Sequence, residues 1–109
     1  MKISNEDINI LKNIITTGIP LAVELILFGS YARGDHNENS DIDFLVLTER
    51  EIDRKSKLKA VSKLRGDIAD KGYNADVIIK SKDKFIEETK LPIMSRIINE
   101  EGKTIWTRI

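Results

Sequence analysis

The feature that most constrains this chain is a pair of aspartates in an otherwise apolar stretch, Asp41-Ile42-Asp43-Phe44-Leu45-Val46-Leu47. The stretch reads as a strand. Side chains alternate across a strand, so Asp41 and Asp43 share one face. Two neighbouring carboxylates repel each other, and a fold keeps both ionised most easily with a cation between them. Hard oxygen donors of this kind suit Mg²⁺, which takes a few carboxylates together with water and phosphate oxygens.

The rest of the chain supplies a frame for this pair. Ser4 caps a first helix with Asp7 as its capping-box partner, and Ile8, Leu11, Ile14 and Ile15 recur at helical spacing until Gly18 and Pro20 stop it. Val23 to Phe28 is a short apolar run and reads as a buried strand, ended abruptly by Gly29-Ser30. Tyr31-Ala32-Arg33 reads as a brief helix before a polar loop from Gly34 to Ser40. A longer helix is expected from about Asp53 to Lys71, with Leu58, Val61, Leu64 and Ile68 as its apolar stripe and Gly72 as its terminator. Ala75 to Ile79 reads as a third strand and Lys82 to Glu88 as a short helix. Pro92 suits the first turn of a last helix, with Ile93, Met94, Ile97 and Ile98 expected to face inward. Gly102 ends that helix, and Thr104-Ile105-Trp106 reads as an extended tail. Together these elements predict an α/β (α+β) fold, a small mixed sheet flanked by helices, in a single domain over residues 1–109.

Two further features gather around the aspartate pair. Asp76 lies on the third strand among apolar neighbours, where a charge costs several kcal/mol unless compensated. A metal site shared with Asp41 and Asp43 would compensate it. Gly29 lets backbone approach a ligand closely, Ser30 adds a hydroxyl, and Arg33 follows on the same turn within reach of a phosphate oxygen. Phosphate cradle and divalent-metal site side by side suit a nucleoside triphosphate. Each part alone also has a plain reading: Gly29-Ser30 as a turn, Asp41-x-Asp43 as a surface pair, Asp76 as an edge carboxylate beside a lysine, Arg33 as a solvated side chain. Their order and spacing together carry the signal. His36 reads as solvated, and Trp106 as a core or interface anchor.

Composition narrows the function classes. The 109 residues carry 18 basic and 18 acidic side chains, and this balance disfavours a broad nucleic-acid surface. The absence of cysteine excludes disulfides, thiolate zinc sites and a cysteine nucleophile. No apolar run reaches the roughly 20 residues of a membrane span, and the charged N-terminus lacks a signal-peptide core. A cytoplasmic protein with no membrane association is expected.

Gly29-Ser30-Tyr31-Ala32-Arg33-Gly34, a loop, then Ser40-Asp41-Ile42-Asp43-Phe44-Leu45-Val46 resembles the signature of the minimal nucleotidyltransferases of the DNA polymerase β-like superfamily. The resemblance continues through Asn74-Ala75-Asp76-Val77-Ile78 and the tail from Ile97 to Trp106. It implies that Asp41, Asp43 and Asp76 are catalytic and hold two Mg²⁺ ions. It also implies that Gly29, Ser30, Arg33 and Ser40 bind the nucleotide, expected to be ATP. Superfamily members that modify antibiotics or extend RNA usually carry extra acceptor-binding domains. The single-domain members resemble the antitoxin halves of HEPN toxin–antitoxin pairs, in which AMP passes from ATP to a tyrosine of the HEPN toxin. The expected partner is therefore a HEPN-family toxin, in a hetero-oligomer. Two alternatives accompany this expectation: an antitoxin that neutralises by binding alone, and a nucleotidyltransferase acting on a small molecule such as an antibiotic.

Overall fold

A computed structural model describes residues 4–35 and 41–108, with Met94 described by its backbone alone. His36 and Ser40 lie outside the described residues. Helix α1 spans Asn5–Gly18 and starts with the expected capping box. The Asp7 amide donates to Ser4 Oγ at 3.1 Å, and the Ser4 amide donates to Asp7 Oδ2 at 2.9 Å. Strand β1 (Ala22–Phe28) leads into a single helical turn, α2 (Ser30–Arg33), and after the loop comes β2 (Ile42–Thr48). Asp41 thus stands just before its strand. Helix α3 covers Arg54–Asp70, with Asp53 accepting the Ser56 amide at its start. At its far end Gly72 donates its N–H to the Ala69 carbonyl at 2.9 Å. Strand β3 (Ala75–Ser81), helix α4 (Lys82–Glu88), helix α5 (Met94–Glu101) and strand β4 (Lys103–Thr107) complete the order.

The strands form one mixed sheet in the order β3-β2-β1-β4. Strand β2 runs parallel to β3 and antiparallel to β1, and β4 runs antiparallel to β1. The C-terminal end of β1 therefore meets the N-terminal ends of β2, β3 and β4 at one mouth of the sheet. The tail expected to be merely extended is in fact the edge strand β4, with Leu25 opposite Trp106 and Leu27 opposite Lys103. Gly102 makes its tight start possible: a Cβ there would overlap the Ile98 carbonyl oxygen and crowd Ile26.

Alternation along the strands divides the core into two layers. Leu25, Leu27, Ile42, Phe44, Val46, Val77 and Ile79 face α1 and α3, packing on Leu11, Ile15, Leu64 and Ile68. Ile26, Leu45 and Leu47 face the other way and pack with Phe85 of α4 and Ile98 of α5. Lys80 and Glu88 tie α4 to β3 across 2.7 Å.

Three helical positions depart from expectation. Leu58 is 62% exposed, because α3 buries its later residues Leu64 and Ile68 against the core and leaves Leu58 outside it. Among the described side chains of α5, Ile98 and Ser95 are buried, while Ile97 is 54% exposed, as is its cap residue Ile93 at 41%. The helix touches the sheet along one narrow edge, so half of its apolar stripe has no layer to face. Pro92 stands outside this helix, which Ile93 caps and Met94 begins. Among the described residues no helix is long and apolar enough to cross a membrane.

Candidate active site

The carboxylates gather at the sheet mouth because of strand register. Asp43 pairs directly with Asp76 across the parallel β2–β3 ladder and lies opposite Phe28 of β1. Both aspartates extend the Leu45 and Ile78 face, toward α4 and α5. Asp41 precedes β2 and shares a polar groove with Asp76, Asn74 and Arg65. The Ile42 amide donates to the Asn74 carbonyl at 3.0 Å, holding the two segments that carry Asp41 and Asp76 together.

Electrostatics distinguishes Asp43 from its neighbours. Burial pushes its carboxyl above the ordinary value, and the negative charges of Asp76 and Asp41 push it further, with Arg33 pulling back. Such a group is waiting for positive charge. Asp76 already has some, because Arg65 Nη2 on α3 donates to its Oδ1 at 2.9 Å.

Gly29 is fitted to this centre. It has φ +77° and ψ −156°, a conformation essentially confined to glycine, and a Cβ there would overlap Asp43 Oδ2. The Gly29 carbonyl then accepts the amides of Ala32 and Arg33, each at 3.1 Å, which winds α2 with Ser30 at its first position. Arg33 ends that turn, exposed, with Nε 3.2 Å from Asp35 and Nη1 3.7 Å from Glu101 at the end of α5.

The fold thus brings Gly29, Ser30, Asp43 and Asp76 to one mouth, with Asp41 and Arg33 at its rim. Nothing in the sequence singles out Arg65: it is one of 18 basic residues, and only the packing of α3 on β3 puts it against Asp76. The donors fit a hard divalent cation. They are carboxylate oxygens only, they repel one another at Asp43, and Gly29 leaves Asp43 Oδ2 uncovered by any side chain of its own. Among the described residues no three carboxylates or imidazoles converge tightly enough to hold an ion as they stand. Asp76 is engaged by Arg65 instead.

Fold and site together define a nucleotidyl-transfer scaffold. Residues 8–106 match the model of the nucleotidyltransferase domain family. A candidate protein adenylyltransferase of Methanocaldococcus jannaschii is 31% identical over 83 residues, covering 76% of this chain and 77% of its relative. The chain belongs to the nucleotidyltransferase domain family and has the polymerase β-like fold. Among solved structures, a toxin–antitoxin with AMP-PNP superposes with a TM-score of 0.61 at 24% identity, over 96% of this chain and 75% of that one. The complex of a tri-AMPylated HEPN toxin with its MNT antitoxin, from Shewanella oneidensis, gives 0.57 at 20% identity, over 92% and 69%.

Proposed function

We propose that this nucleotidyltransferase transfers AMP from ATP to a tyrosine hydroxyl of a partner HEPN-family protein, acting as the antitoxin of that pair. The observation that carries the reading is the registered Asp43–Asp76 pair closed off by Gly29. Family membership, the adenylyltransferase relative and the likeness to toxin–antitoxin structures support it.

In this reading Gly29 and Ser30 hold the β- and γ-phosphates, and Arg33 offsets their charge. Ser40, named as a nucleotide contact by the sequence resemblance, lies outside the described residues. Asp41, Asp43 and Asp76 hold Mg²⁺. Bound Mg²⁺ supplies charge stabilisation at the attacking and leaving oxygens of an in-line displacement. The acceptor oxygen forms a bond to the α-phosphorus, the bond from that phosphorus to the β-phosphate bridging oxygen breaks, and pyrophosphate leaves. Asp76 accepts the hydroxyl proton once Arg65 yields it.

Intact mass spectrometry of the HEPN partner after incubation with this protein, ATP and Mg²⁺ tests the proposal. A mass gain of one or more adenylyl groups on the partner is expected. An unmodified partner, with both proteins folded, would overturn it.

A further inference from the structure

Asp76 is held by a cation of the chain's own. Arg65 stands on α3, which packs on the Val77 and Ile79 face of β3, whereas Asp76 belongs to the opposite face. Because β3 is the outer strand of the sheet, the arginine reaches round its edge, and Nη2 donates to Asp76 Oδ1 at 2.9 Å. Both residues line the polar groove together with Asp41.

We infer that Arg65 is a displaceable counter-ion that occupies Asp76 until a metal takes its place, and so sets the metal concentration at which the site fills. The inference rests on the transferase reading, in which Asp76 is a metal ligand. Four observations carry it. A guanidinium N–H and a divalent ion compete for the same carboxylate lone pairs. Asp43 is registered against Asp76, so the carboxylate most in need of positive charge stands next to the one the arginine holds. The two side chains of the ion pair are 58% and 48% exposed, so the pair is weak, screened by solvent and able to give way. The arginine also has room to leave: a Cβ added at the adjoining Gly66 would meet no described atom within 4 Å.

A bridge that merely tied α3 to β3 would leave metal affinity untouched. A competing counter-ion lowers it, and the lowering runs through Asp76 alone.

Titration with Mn²⁺, followed by the paramagnetic resonance signal of the free ion, separates the two without any transfer reaction. Arg65→Met keeps a long unbranched side chain at an exposed position, so the core stays closed. It should bind Mn²⁺ about threefold more tightly than the parent, the scale of an exposed ion pair. The same substitution placed on Asp76→Asn should bring no gain, because the competition runs through that carboxylate. An unchanged Kd for Arg65→Met, or an equal gain in the Asp76→Asn background, would overturn the counter-ion alone. A parent protein that binds no Mn²⁺, with Arg65→Met equally inert, would overturn the metal site and the transferase reading with it.

Discussion

The two faces of the sheet are built from the same strands and do opposite things. Toward α1 and α3 the inward positions are apolar through Val46 of β2 and Ile79 of β3, and the layer is closed, with Leu11, Ile15 and Phe44 fully buried. Toward α4 and α5 the layer is thinner: Leu45 and Leu47 are covered, but the strand mouth carries Asp43 and Asp76, and Ile93 and Ile97 stand open. The difference teaches where a small domain places its cost. The closed face buries enough apolar area to hold the sheet. The other face can then carry repelling carboxylates and uncovered isoleucines.

Adjacent residues of β2 give the largest test of that contrast. Phe44→Ala should destabilise the protein by about 3–5 kcal/mol, measured by urea denaturation, because it empties the centre of the closed face. Asp43→Asn, one residue away, should lower nucleotidyl transfer by roughly 10²–10³-fold, yet raise the melting temperature of the metal-free protein. If Asp43→Asn melts below the parent, the carboxylate is supporting the fold and the contrast fails.

Gly29→Ala should combine both effects. A conformation reserved for glycine costs about 1–3 kcal/mol to impose on alanine, and the new methyl group displaces Asp43 Oδ2. Denaturation and transfer assays on this variant should both fall, and a normal transfer rate would mean that the close approach to Asp43 is dispensable.

The pH dependence of stability should also divide by region. Asp43 has a folded-state pKa above its ordinary value of 3.8. Its contribution is therefore present below that value and is lost as pH rises through the raised one. Asp7 behaves oppositely. The Tyr73 hydroxyl and then Ser4 hold it below its ordinary value of 3.8, so its contribution is present above that value and is lost as pH falls through the lowered one. Melting temperatures across this range should show Asp43→Asn removing the first trend and Asp7→Asn the second. A parallel response in both variants would erase the distinction.

The smallest effect expected is that of Arg65→Met. Both members of its ion pair with Asp76 are about half exposed, so the stability change should stay within about 1 kcal/mol. A larger loss in thermal denaturation would make Arg65 a structural support of the sheet mouth.

Much of the molecule is legible in the chain alone. The Ser4–Asp7 cap, the β1 run, and the α3 stripe at Leu64 and Ile68 all follow from local periodicity and hydrogen-bonding chemistry. These depend on residues a few positions apart, which a sequence displays directly. Non-local choices are hidden. Whether Thr104 to Trp106 would pair with β1, whether Ile93 and Ile97 would find a layer to cover them, and which of many basic residues would reach Asp76 depend on how elements dock. The sequence by itself determined the strand that carries Asp43 and the glycine turn before it. Only the tertiary structure decided that Asp43 stands beside Asp76 with Gly29 against it. A ladder register joins residues 33 positions apart through hydrogen bonds that no local pattern encodes.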